Sequence, residues 1–176
     1  MDRRGFMRTV LGTGAVIAVL PRFAGAQQGT GPGTTKAPAR PGTPPAARPA
    51  ALPPMTIYKS ASCGCCHLWI EHARSNGFTV KTIDTEELAS VKRDLGVPTQ
   101  LGACHTVVVG NYLVEGHVPA ADIKRMLATK PAIRGIAVPG MPIGAPGMEQ
   151  GPVSGYQQYD VIAFTAQGRT SIFARH

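Results

Sequence analysis

Three of the four cysteines lie within four residues, as Cys63-Gly64-Cys65-Cys66, at the start of a predicted helix and just after a short β-rich run at residues 55–59. The N-terminus of a helix favours thiolate, because its free N–H groups and its dipole stabilise negative charge. Thiolate is both the sulfur nucleophile and the form that binds soft metals. The cluster therefore predicts a strand followed by a helix whose first turn presents reactive sulfur.

The rest of the pattern extends this unit into a β-α-β-α-β-β-α order with a C-terminal tail. The predicted elements are strand 55–59, helix 62–75, strand 78–83, helix 85–95, strands 105–109 and 112–115 joined by Gly110-Asn111, helix 119–130, and strands 159–164 and 170–173. Residues 131–158 are predicted to be loop-rich. The order indicates an α/β fold, a thioredoxin-like single domain with a C-terminal loop and strand extension. In such folds the start of the third strand faces the helix-1 cysteines, so Cys104 is expected to join them.

Residues 1–26 have the three parts of an export signal: a basic start, an apolar stretch at about 9–20, and the small-residue cleavage site Ala24-Gly25-Ala26. Arg3-Arg4-Gly5-Phe6-Met7 resembles a twin-arginine signal; an ordinary secretory signal carrying two arginines is the alternative. The apolar stretch is short and rich in glycine for a membrane span, although an uncleaved anchor is a second alternative. We expect cleavage near Ala26, a periplasmic location and no stable membrane span afterwards.

Residues 27–54 are dominated by Pro, Ala, Gly and Thr and are predicted to be a disordered tether ahead of the folded domain, residues 55–176. The formal net charge of +8 first indicates a nucleic-acid or membrane partner. Residues 1–54 hold seven basic residues and one acidic residue, whereas residues 55–176 hold eleven and nine. The folded domain is nearly balanced in charge, so nucleic acid is not an expected partner.

Three interpretations of the cysteines follow from the residues alone. The first is structural disulfides in an oxidising compartment, although a domain of about 120 residues does not need them. The second is a dithiol oxidoreductase that uses the C-x-x-C pair Cys63 and Cys66 as catalytic thiols, which leaves Cys65 unexplained. The third is a soft-metal site, because convergent thiolates suit Cu(I) and, less well, Zn. The residues alone do not choose between the last two.

Soft donors elsewhere in the chain are candidates for the same site. His105 follows Cys104 directly, and His117 lies between a predicted strand and a predicted helix. Met141 and Met148 flank a Gly/Pro-rich loop in which we expect little core for a methionine to fill, which favours a role as copper ligands. The candidate metal ligands are Cys63, Cys65, Cys66, Cys104, His105, His117, Met141 and Met148.

Several further motifs occur with the cysteine cluster in a fixed order. They are Tyr58-Lys59 ahead of Cys63-Gly-Cys-Cys66, then Trp69, Gly77-Phe78, Cys104-His105-Thr106, Glu115-Gly-His-Val-Pro119, Ala121-Asp122-Ile123, Ala137-Val-Pro-Gly-Met-Pro-Ile-Gly144 and Pro146-Gly-Met-Glu149. Across residues 55–176 the set resembles the CopG-type periplasmic copper-resistance proteins, a family also described as a domain of unknown function. The long tether and the twin-arginine signal depart from the shortest members and concern only the export route.

The resemblance implies a thioredoxin-like fold in which the three-thiol box replaces the usual C-x-x-C. It implies Cu(I) held as a thiolate-bridged, multinuclear cluster, with Cys63, Cys65 and Cys66 as bridging thiolates and Cys104 as a neighbouring thiol. It also implies interconversion of Cu(I) and Cu(II), with copper ions and other periplasmic copper-handling proteins as partners. The expected function is therefore periplasmic copper binding in copper resistance, and thiol-disulfide exchange on exported proteins is the alternative.

Overall fold

Seven strands form one mixed sheet in the computed structural model, which describes residues 51–176. The elements of this part of the chain are β1 (Met55–Lys59), α1 (Gly64–Ser75), β2 (Val80–Asp84), α2 (Leu88–Leu95), β3 (His105–Val109), β4 (Tyr112–Glu115), α3 (Ala120–Thr129), β5 (Gly135–Ala137), β6 (Asp160–Phe164) and β7 (Thr170–Arg175). Short 3-10 turns occupy Thr99–Leu101 and Val153–Gly155. The predicted export signal, 1–26, and most of the predicted tether, 27–54, lie outside the described residues.

The sheet order is β2-β1-β3-β4-β5-β6-β7. β1 pairs with β2 in parallel and β4 with β5 in parallel, while the other neighbours are antiparallel. The first four strands with α1, α2 and α3 make the thioredoxin-like α/β unit, and β5 to β7 extend its sheet. The predicted fold class is therefore confirmed, including the C-terminal extension. No helix of residues 51–176 has the length and apolar character needed to cross a membrane.

The apolar residues of the sheet divide into two clusters on opposite faces. Neighbouring residues of a strand point to opposite sides, and on β4 Leu113 and Val114 belong to different clusters. The larger cluster contains Trp69 of α1, which is fully buried and whose indole N–H donates to the Val118 carbonyl at 3.0 Å. This contact fastens α1 to the segment between β4 and α3, next to the cysteines.

Two helix boundaries differ from the sequence-based expectation. Helix α1 begins at Gly64, with Cys63 in the extended N-cap position, rather than at Ser62. Helix α2 begins at Leu88 rather than at residue 85, because the Thr85 hydroxyl accepts the Glu87 N–H at 3.0 Å in a turn that precedes the helix. The shift of α1 places Cys63 at the helix entry and the other two thiols of the cluster inside its first turn.

Strand β5 lies in the segment predicted to be loop-rich, and the sequence did not predict a strand at residues 135–137. All three of its residues are buried, and a strand this short shows no alternation of polar and apolar residues. A Cβ at Gly135 would lie 2.3 Å from the Leu113 carbonyl oxygen and 2.8 Å from the Phe164 ring. Only glycine fits there, so a residue that is typical of loops is in fact required by close packing of the sheet.

Candidate metal centre

The cysteine cluster at the start of α1 meets Cys104, which directly precedes β3. The Cys65 sulfur lies 3.6 Å from that of Cys63 and 3.8 Å from that of Cys104. The four cysteine sulfur atoms all lie within 4.8 Å of one another. Residues separated by about forty positions in the chain therefore form one sulfur cluster, half-buried at the end of the sheet.

The structure joins Cys63 to Cys66 by a disulfide and leaves Cys65 and Cys104 as thiols. Cys66 is fully buried, and its sulfur lies 3.6 Å from the Cys104 carbonyl oxygen. Cys63 is partly exposed. The cluster is thus seen in an oxidised form, in which the C-x-x-C pair is closed and two of the four thiols are free.

Two histidines contact the Cys104 sulfur, His117 through Nε2 at 3.0 Å and His105 through Nδ1 at 3.2 Å. The Nδ1 of His117 lies 2.8 Å from the carbonyl oxygen of Pro146. A carbonyl only accepts, so Nδ1 carries the proton and the Nε2 lone pair faces the Cys104 sulfur. Metal-binding histidines show this same arrangement, because the outer hydrogen bond fixes the tautomer and the ring orientation.

His105 is fully buried, and its Nε2 has no hydrogen-bond partner among the described residues. Its ring centroid lies 4.7 Å from that of Trp69 and 5.1 Å from that of His117. Burial lowers the pKa of His105 well below its usual value, with the neighbouring His117 adding to the effect. His105 is therefore neutral at neutral pH, which is the form of imidazole that binds a metal.

Burial also raises the pKa of the Cys104 thiol to about 12, and the adjacent Cys65 contributes to the rise. The positive charge of Lys92 acts in the opposite direction. With its pKa near 12, Cys104 keeps its proton at neutral pH until a cation displaces it. Binding of a metal at Cys104 would therefore release a proton.

The Gly/Pro-rich segment that follows β5 packs directly onto this centre. Gly147 has φ +81°, and a Cβ there would lie 2.7 Å from the Trp69 backbone nitrogen and 3.0 Å from the Cys65 carbonyl oxygen. The neighbouring Pro146 supplies the carbonyl that orients His117. The segment thus covers the first turn of α1, and glycine permits its close approach.

The two methionines of this segment have different environments. Met141 is 54% exposed, whereas Met148 is buried at 9% exposure. The expectation that neither methionine fills core was therefore wrong for Met148, because the segment folds back onto α1 and encloses it. Their roles as metal ligands remain predictions.

Lys92 and the carboxylate of Glu115 lie near the site although the sequence predicted no role for them there. Glu115 is fully buried at the end of β4 and forms an ion pair with Lys92 of α2. The sequence did carry a signal for this ion pair, because Glu115 ends the otherwise apolar strand Tyr112–Glu115. Buried carboxylates are rare unless they are paired, so a glutamate in this position indicates a charged partner.

The donor set of the centre is sulfur and neutral imidazole. Two groups of ligand atoms converge within 4.8 Å, the four cysteines in one and Cys104, His105 and His117 in the other. Cys104 belongs to both groups and joins them. Thiolate and imidazole donors suit copper and zinc rather than magnesium or calcium, so the residues present fit a copper ion.

One family model and two solved structures are similar to this chain. Residues 101–148 match the family model described as "Protein of unknown function, DUF411". A search of curated proteins gives no match. The solved structure "Copper resistance protein copG- Form 2" is 42% identical in sequence to this chain, with a TM-score of 0.67. The match covers 71% of this chain and 98% of the chain in that structure. Form 1 gives the same identity and coverage, with a TM-score of 0.66.

The chain belongs to this CopG family. The family resemblance stated from the motifs is therefore confirmed. Membership in CopG and the convergent cysteine cluster together fit copper binding at this centre.

Proposed function

We propose that the protein binds Cu(I) in the periplasm as part of copper resistance, through the thiolates of Cys63, Cys65, Cys66 and Cys104. The observation that carries this proposal is the approach of four sulfur atoms to within 4.8 Å of one another. Because the Cys65 sulfur contacts those of both Cys63 and Cys104, its thiolate is the best placed to bridge two copper ions. Such bridging accounts for a third thiol in a motif whose ordinary chemistry needs only two.

Histidines and methionines would complete the ligand set. His117 offers a lone pair that already faces the Cys104 sulfur, and the fully buried His105 contacts the same sulfur. We propose both as ligands to copper bound on the Cys104 side. Met148 and Met141, in the segment that covers α1, are proposed as thioether ligands, the first from a buried and the second from an exposed position.

Binding by all four thiolates requires the Cys63–Cys66 disulfide to be reduced first. An external dithiol reductant transfers two electrons and two protons to the disulfide and is itself oxidised to a disulfide. Copper binding then displaces the protons of the two cysteine thiols, which are released to the solvent. The reverse step gives the redox chemistry that we propose. Two Cu(II) ions each accept one electron from the dithiol, which becomes a disulfide, releases two protons and leaves two Cu(I).

A thiol-disulfide oxidoreductase acting on exported proteins is the second candidate. The Cys63–Cys66 disulfide at the entry of α1 favours it, because Cys63 is partly exposed while Cys66 is buried. An external thiol would therefore reach Cys63 first. This candidate gives no function to Cys65, Cys104 and the two histidines, which is why copper binding is preferred.

The periplasmic location and the cleaved twin-arginine signal are proposals from the sequence of residues 1–26. The other periplasmic copper-handling proteins are proposed as partners because of the family resemblance of residues 55–176. A folded-protein export route would allow the domain to fold before it reaches the periplasm. The tether would then separate the copper centre from the site of cleavage.

The deciding experiment is a Cu(I) titration of the reduced, anaerobically purified protein against a competing Cu(I) chelator. We expect the reduced protein to take more than one Cu(I) per chain from the chelator. Protein whose disulfide has not been reduced is not expected to do so. A reduced protein that takes no Cu(I) from the chelator would exclude copper binding. The reduction potential of Cys63 and Cys66 would then be measured instead.

The number of reactive thiols gives a simple check of the oxidised form. Without reductant, denatured protein should react with two equivalents of an alkylating reagent, at Cys65 and Cys104. After reduction it should react with four, matching its four cysteines. Peptide mass mapping identifies the sites. Alkylation of Cys63 or Cys66 before reduction would show that the disulfide pairing differs.

A further inference from the structure

The carboxylate of Glu115 lies at the centre of a buried polar network behind the copper centre. Its Oε1 accepts a hydrogen bond from the Ala103 backbone N–H at 2.6 Å and pairs with the Lys92 ammonium group. Its Oε2 accepts a hydrogen bond from the Thr106 hydroxyl at 2.6 Å. The Lys92 ammonium group also donates to the Thr106 hydroxyl, at 2.8 Å. The carboxylate thus connects α2, the start of β3 and the end of β4.

This network is costly for the fold alone. Glu115 is fully buried and the side chain of Lys92 is 15% exposed, so both groups lose most of their hydration. Burial raises the pKa of Glu115, while Lys92 and the hydrogen-bond donors around the carboxylate lower it. Replacing a buried ion pair by apolar residues of similar size is often neutral or stabilising. Stability alone therefore does not account for the charge pair.

The contact with Ala103 links the network to the copper centre. Ala103 immediately precedes Cys104, and its N–H has the Glu115 carboxylate as acceptor. The same region is packed from the other side, because a Cβ at Gly116 would lie 2.6 Å from the Ala103 Cβ. Glu115 therefore holds the segment that carries Cys104, and its own strand end leads into His117.

We propose that Glu115 is a positioning residue for the copper centre, whose carboxylate fixes Cys104 opposite Cys65 by holding the Ala103 N–H, with Lys92 as its countercharge. The proposal rests on the proposed copper function and adds to it a group that does not touch the metal. Glu115 acts on Cys104, which belongs to both groups of converging donor atoms. A small displacement of Cys104 therefore disturbs both groups.

Glu115→Gln tests this role at constant side-chain shape. The amide keeps an oxygen for Ala103 but removes the charge that strengthens the bond and balances Lys92. Removal of groups that orient a metal ligand typically lowers metal affinity by about 10- to 100-fold. We expect Cu(I) affinity of the reduced protein to fall by about tenfold in Glu115→Gln and by about 100-fold in Glu115→Ala, which has no acceptor.

Asp122→Asn is the matched control. Asp122 is also a buried carboxylate with an ion pair, to Arg125, but its contacts are with Arg125 and His176 rather than with the Cys104 segment. We expect this variant to lose stability while its Cu(I) affinity stays within about twofold of the unmodified protein. The pair of variants separates a general loss of stability from a displaced ligand.

A second readout needs no copper. In the reduced metal-free protein, we expect Cys104 to be alkylated several times faster in Glu115→Ala, and moderately faster in Glu115→Gln, than in the unmodified protein, while Cys63 keeps its rate. Loss of Cu(I) binding by the unmodified protein would overturn the copper function but leave this readout to decide on positioning. If Glu115→Gln has the same Cu(I) affinity and the same Cys104 alkylation rate as Asp122→Asn, the positioning role is overturned. This test holds even if Glu115→Ala fails to fold.

Discussion

A Cys65→Ser protein is expected to bind Cu(I) at least about 100-fold more weakly than the unmodified protein. Loss of a group that only orients a metal ligand lowers affinity by up to about 100-fold, and loss of a direct ligand should cost at least as much. The Cys65 sulfur lies 3.6 Å from that of Cys63 and 3.8 Å from that of Cys104. Serine offers a hard hydroxyl that does not replace a soft thiolate for Cu(I). Without the thiolate, the cluster loses the one sulfur that contacts both Cys63 and Cys104.

The same substitution should leave the dithiol chemistry unchanged. Cys63 and Cys66 form their disulfide without Cys65, so the reduction potential of the pair is expected to stay close to that of the unmodified protein. Cys66→Ser is the comparison, since it should abolish both the disulfide and tight Cu(I) binding. Chelator competition and a redox titration on both variants measure the two properties separately. Cys65→Ser with full Cu(I) affinity would argue for the oxidoreductase alternative.

The order of elements could be predicted because each carries a local signal. The strand Met55–Lys59 and the hairpin built from His105–Val109 and Tyr112–Glu115 occur as expected, since β-branched residues and a Gly-Asn turn determine them within a few positions. Strand β5 lacked such a signal. Its pairing partners, β4 and β6, are distant in the chain, and only their packing shows why Gly135 is needed.

The candidate site likewise has parts that the sequence could predict and parts that it could not. The C-x-C-C spacing is local, and the approach of Cys104 follows from the fold class. The burial of Met148 depends on how a long segment packs onto α1, and the ion pair of Lys92 with Glu115 depends on how α2 packs onto the sheet. No spacing in the sequence encodes those contacts. Groups that bind metal directly are therefore easier to find in a sequence than the groups that hold them in place.

Gly147→Ala should have a large effect on the segment that covers the centre. The new methyl group would meet backbone atoms of Trp69 and Cys65 at 2.7 and 3.0 Å, and neither can move without shifting α1. Positive φ adds strain of about 1–2 kcal/mol for a residue with a Cβ, and overpacking costs about 1–3 kcal/mol. We expect the free energy of unfolding to fall by about 3 kcal/mol.

Gly151→Ala is the matched control, because Gly151 has a similar φ of +74° but a Cβ added there would have no neighbouring atom within 4 Å. It should lose only the strain, about 1–2 kcal/mol. Denaturant unfolding of both variants measures the difference. Copper binding adds a second comparison, since lifting the segment withdraws the Pro146 carbonyl from His117. Gly147→Ala should then bind Cu(I) about tenfold more weakly than Gly151→Ala, the loss typical of a ligand-orienting partner. Equal Cu(I) affinities in the two variants would mean that the hydrogen bond from His117 to Pro146 does not contribute to copper binding.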